Sequence, residues 1–79
     1  MITGPQIKAA RTLLGWSLRD LARRTGIDIS GIQELESAAK MPNRRRNDLA
    51  LVQTILEEAG IAFVDSVGVH LRPMEVPRP

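Results

Sequence analysis

The chain has no cysteine and no tyrosine, one tryptophan (Trp16), one phenylalanine (Phe63) and one histidine (His70). Without cysteine there is neither a disulfide framework nor a thiolate metal site. With 43% hydrophobic but only 3% aromatic residues, any core must be aliphatic. His70 has no serine or carboxylate at a telling spacing, the acids are scattered, and no glycine-rich phosphate cradle is present. Nucleophilic, general-base and metal chemistry therefore lack their parts, and no enzyme activity, metal or cofactor is expected. No apolar run approaches the length of a signal peptide or membrane span. A cytoplasmic protein with no membrane partner is the expectation. The net charge is only +2, so the placement of charge matters more than its total.

Seventy-nine residues suit one domain with a small core, which dimerising would stabilise. The chain is organised around Ser17 to Ser37, which reads as helix, tight turn, helix. Ser17 with Asp20 three residues on is a capping box. Leu18, Leu21 and Ala22 then form an apolar stripe, while Arg19, Arg23 and Arg24 face outward. Gly26 ends that helix where a positive φ is wanted. Ile27 follows as a plug, Asp28 is a good N-cap for the next helix, and Ile32 and Leu35 point inward. Two helices crossing steeply through so short a turn need a small residue at close approach, a flexible turn and a β-branched plug. Ala22, Gly26 and Ile32 supply them.

Flanking elements follow the same logic. Thr3 and Gln6 form another capping pattern, with Pro5 in the first turn, and Ile7, Ala10, Leu13 and Leu14 give a first helix over residues 4–14 closed by Gly15. Trp16 sits in the connector, against the core. After the helix-turn-helix, Pro42 blocks helix continuation and Asn43 or Asn47 is available as a cap. Leu49, Val52, Ile55, Leu56 and Ala59 predict a fourth helix over residues 44–59, with room for a break near its start, ending at Gly60. Ile61 to Val64 and Val67 to Leu71 are β-favouring segments separated by Asp65-Ser66, which predicts a small hairpin docked on the fourth helix or paired across a dimer. The organisation is thus a helix-turn-helix domain over 1–60, short β segments over 61–72 that serve as a dimer contact, and a flexible tail over 73–79 with Pro73, Pro77 and Pro79.

The stretches LLGWSLRDLARRTGI, IQELE and EEAGIAFV, in this order, resemble the phage repressor and Cro family of XRE-type helix-turn-helix regulators. The resemblance covers roughly residues 5–72. It implies an all-α, lambda-repressor-like domain of four to five helices with a short C-terminal β-hairpin or strand. It also implies that Arg11 pairs with Glu36, tying the first helix to the third. Two positions depart from the family pattern. Leu18 stands where many members carry a phosphate-binding Gln, and Ser37-Ala38-Ala39 replaces the usual Gly after Glu36, so the third helix is expected to run about a turn longer or to end less sharply.

A member of this family presents its third helix to the major groove of a double-stranded DNA operator. By position the base-facing residues are Ile29, Ser30, Gln33 and Glu34. Gln33 suits adenine, Ser30 suits several base edges or a phosphate, Ile29 suits a thymine methyl, and Glu34 suits a cytosine amino group. Gly31, inside that helix, permits close backbone approach. Phosphates call for cations; Lys40, Arg44, Arg45 and Arg46 follow the third helix, with Arg19 and Arg23 on the second. A homodimer doubles the readout, with Phe63, Val64, Val67 and Val69 as candidate dimer contacts. The expected function is a sequence-specific transcriptional regulator, a repressor. The alternative is a protein-interaction module of the same fold, such as an antitoxin or anti-activator, using Leu18 and Ile29 or the terminal strands to hold a toxin or another regulator.

Overall fold

The first three helices each start where a side chain takes up orphan N–H groups. The computed structural model describes residues 2–38, 43–65 and 68–72. Helix α1 spans Gly4–Leu13; the Thr3 N–H donates to Gln6 Oε1 at 2.8 Å, and the Gln6 N–H returns to Thr3 Oγ1. Helix α2 spans Leu18–Thr25, with the Asp20 N–H on Ser17 Oγ at 3.0 Å and the Ser17 N–H on Asp20 Oδ2 at 2.9 Å. Both capping boxes close in both directions. Gly26, at φ +77°, ends α2 and donates its N–H to the Ala22 carbonyl at 2.8 Å. An L side chain is strained at that φ, which is why glycine stands there.

Helix α3 spans Ile29–Ser37, and Asp28 caps it by accepting the Gly31 N–H at 2.9 Å. It ends at Ser37, with Ala38 already extended at ψ 121°. The extra turn allowed for by the missing glycine is not formed; the helix simply stops without a left-handed cap. Pro42 and Lys40 lie outside the described residues.

Beyond them, Asn43–Arg45 form a single 3-10 turn that runs straight into α4, Arg46–Glu58. Neither Asn43 nor Asn47 caps α4. Arg45 occupies the cap position and makes no side-chain capping bond. A 3-10 turn at a helix start relieves the need for a side-chain cap, because its own bonds take up part of the end. Ala59 and Gly60, at φ +107°, close α4. Strands β1, Ile61–Val64, and β2, Gly68–Leu71, then pair antiparallel in the register Ile61 with Leu71 and Phe63 with Val69.

The core is aliphatic throughout. Ile7, Ala10, Leu21, Ile32, Val52 and Leu56 are completely buried, with Ile2, Leu35, Leu49 and Ile61 beside them. Trp16 and Phe63 lie at its margin. Ile61 anchors the hairpin in the same core as the helices. The hairpin leans on α1 as well as α4, because the Gln6 amide donates to the carbonyls of Asp65 and Gly68, both at 3.0 Å. This second support went unread in the sequence.

Candidate nucleic-acid interface

The periodicity of α3 divides it into two faces. Gly31, Ile32 and Leu35 are buried, while Ile29, Ser30, Gln33, Glu34 and Ser37 are exposed. The four residues expected to face bases therefore share one open surface. Its rigidity comes from below. Ile32 and Leu35 are in the core, and Glu36 is held by Arg11 at 2.8 Å through Nε and 3.2 Å through Nη2. Gly4 reinforces this junction: a Cβ there would run into the Glu36 carbonyl oxygen, so α1 sits directly against the end of α3.

The turn between α2 and α3 is tied by Thr25. Its hydroxyl donates to the Leu21 carbonyl at 2.9 Å and accepts the Ile27 N–H at 3.2 Å. Ile27 is half-buried rather than a full plug, yet it packs on the core. Gly31 does allow a close approach, but to its own chain. A Cβ at that position would lie 2.7 Å from Ile27 Cγ2 and 2.8 Å from Asp28 Oδ1. The glycine makes room for the plug and the cap of α3.

Arg19 and Arg23 are exposed on α2 and line a shallow groove with Ala22, Ile27, Ile29 and Ser30. The structure thus brings two cations beside the first turn of α3. Arg24 belongs elsewhere: its guanidinium lies 4.1 Å from the centroid of the Trp16 ring, a cation–π contact. Leu18 is half-buried against the core.

The arginine run divides unevenly. Arg44 Nη2 donates to Glu34 Oε1 at 3.1 Å, Arg45 Nη2 donates to Glu34 Oε2, and Arg45 Nη1 reaches Asp48 Oδ2 at 2.9 Å. These two guanidinium groups hold the Glu34 carboxyl below the usual carboxylate range. The acids beside Arg45, Asp48 first and Glu34 next, raise its pKa further above the ordinary arginine value. Arg46 is exposed, whereas Lys40 lies outside the described residues. Sequence reasoning missed Asp48 as the partner of Arg45, although the i,i+3 spacing was available.

The expected dimer contacts separate as well. Phe63 and Val69 are cross-strand partners on the face that packs against the chain's own core, so much of their surface is already used. Val64 points the other way and is 43% exposed. Val67 lies outside the described residues.

Among the described residues, four α-helices followed by a two-stranded hairpin, with α2 and α3 joined through a glycine turn, form a lambda-repressor-like fold. The Helix-turn-helix family model HTH_3 matches residues 7–46, slightly more than half of the chain. Comparison with curated proteins gives no match. The matched span runs from α1 through both helices of the motif to the first residue of α4. The chain belongs to the HTH_3, XRE-type helix-turn-helix family, whose members are DNA-binding regulators and not enzymes.

Proposed function

We propose that this protein is a sequence-specific repressor that binds a two-fold symmetric operator as a homodimer, with α3 in the major groove. The observation that carries this reading is the open face of α3. Ser30 and Gln33 are exposed on a helix whose opposite side is buried and pinned by Arg11. Such a helix offers side chains able to bond base edges without itself shifting. Gln33 would read adenine and Ser30 a base edge or phosphate, with Ile29 against a thymine methyl. Arg19, Arg23, Arg44 and Arg46 would meet phosphates, joined by Lys40. Arg45, which Glu34 and Asp48 hold in the free protein, would join them.

A single recognition helix covers only a few base pairs, so a second copy supplies the rest of the site. The hairpin is the contact we favour, through the exposed Val64 and through Val67, with the part of Phe63 and Val69 that the core leaves open. Occupancy of the operator would then exclude polymerase.

The test is fluorescence anisotropy of labelled DNA from upstream of the protein's own gene, titrated at low and moderate salt. Saturable binding that survives unlabelled random competitor, with a steep salt slope, supports the reading. Weak binding erased equally by any competitor overturns it and turns attention to a protein partner.

A further inference from the structure

Two successive guanidinium groups close on one carboxylate at the surface proposed to meet DNA. Both Glu34 oxygens are taken, one by Arg44 and one by Arg45. The cluster is open to water, with side-chain exposures of 75% for Arg44, 43% for Glu34 and 25% for Arg45. A carboxylate with two accepting oxygens offers arginine the same sign of charge and the same fork geometry as the two non-bridging oxygens of a phosphodiester.

We propose that Glu34 is a specificity-determining residue that stands in for a DNA phosphate in the free protein, holding Arg44 and Arg45 until an operator displaces it. This rests on the DNA-binding reading given above. DNA of arbitrary sequence offers these arginines only phosphates. Engaging them means exchanging one anion for another and leaving the Glu34 carboxylate facing the duplex without a donor. An operator with a cytosine amino group opposite Glu34 receives that carboxylate. The penalty therefore falls on the wrong sequences, which is discrimination by repulsion rather than by added attraction. Arg45 keeps Asp48 as a second acceptor at 2.9 Å, so Arg44 is the cation that Glu34 chiefly withholds.

The probe is a short alternating A·T duplex, which has no cytosine. It is titrated with the unaltered protein, Glu34→Gln, Glu34→Ala and, as an equal change of charge at a remote site, Glu58→Gln. Circular dichroism establishes that each variant is folded. Both Glu34 variants are expected to bind about tenfold more tightly at low salt, with a salt slope steeper by about one unit, the signature of one further phosphate contact. Glu58→Gln should stay within about twofold. Glu34 variants indistinguishable from Glu58→Gln, while the unaltered protein binds, overturn the proposal and leave the DNA reading standing. Binding seen only after Glu34 is replaced supports it. Folded protein and variants that all fail to bind both this duplex and the DNA from upstream of the gene overturn the DNA reading, and the role of Glu34 with it.

Discussion

Arg11 and Glu36 form a two-toothed ion pair across the α1–α3 junction, with Nε to Oε2 at 2.8 Å and Nη2 to Oε1 at 3.2 Å. The remaining arm of the guanidinium, Nη1, donates to the Trp16 carbonyl at 3.0 Å. One side chain thereby links α1, the α1–α2 connector and the end of the recognition helix. Only 13% of the arginine side chain and 9% of the glutamate side chain reach water.

Breaking this pair from one side should leave a charge largely out of water. Arg11→Ala or Glu36→Gln is expected to cost about 3 kcal/mol in urea unfolding. Arg11→Lys should recover little, since an ammonium cannot make the parallel bonds. Replacing both partners, Arg11→Met with Glu36→Leu, should cost less than either single change. A double variant as unstable as the sum of the singles would show that the pair is not the source of the loss.

Gln6 holds the hairpin to the helices. It is 1% exposed, and its amide nitrogen serves the carbonyls of Asp65 and Gly68 while its oxygen accepts the Thr3 N–H. Gln6→Met fills similar space without these bonds, and should cost about 2 kcal/mol because buried polar groups lose their partners. Hydrogen exchange should accelerate at the amides of β1 and β2 beyond what the global loss explains. Uniform acceleration through the chain would mean that apolar contacts, Ile61 among them, anchor the hairpin without Gln6.

The contrast between these two contacts explains what sequence could reveal. Capping boxes at Thr3 and Ser17, the left-handed Gly26 and the Asp28 cap were legible because their partners lie within one helical turn, where spacing fixes geometry. The Arg11–Glu36 pair is 25 residues apart and was accessible only through family resemblance. The Gln6 bond to Asp65 spans 59 residues and has no local signature, so Gln6 read only as half of a capping box. The grip of Glu34 on Arg44 and Arg45 had no local signature either, because 10 and 11 residues separate the partners. The cap of α4 was misread because a 3-10 turn replaced the side-chain cap that either asparagine could have provided.

Asp20 gives the start of α2 a pH dependence. The Ser17 backbone N–H, then the Ser17 hydroxyl, hold its carboxyl below the ordinary carboxylate range. A carboxyl with a lowered folded-state pKa contributes stability in full above its unfolded value, and that contribution disappears as pH falls through the folded value. The thermal midpoint of the unaltered protein should therefore exceed that of Asp20→Asn near neutrality. The gap should narrow on acidification, beginning within the carboxylate range and closing below it. A gap constant down to strong acid would assign the loss to altered packing rather than charge.

Base readout and phosphate contact predict different losses at neighbouring residues. Gln33 is exposed on the open face of α3, and Arg46 is exposed at the first position of α4. Gln33→Ala removes a base-edge partner, so it should weaken operator binding by about 1–3 kcal/mol while leaving random DNA nearly unchanged. Arg46→Ala removes a cation, so it should weaken operator and random DNA alike and flatten the salt slope by about 0.9. Anisotropy titrations on both duplexes over a series of salt concentrations separate the two. If Gln33→Ala weakens both duplexes equally, α3 does not read sequence through that side chain. If Arg46→Ala leaves the salt slope untouched, the phosphate track does not run along the start of α4, and the cations of α2 carry it.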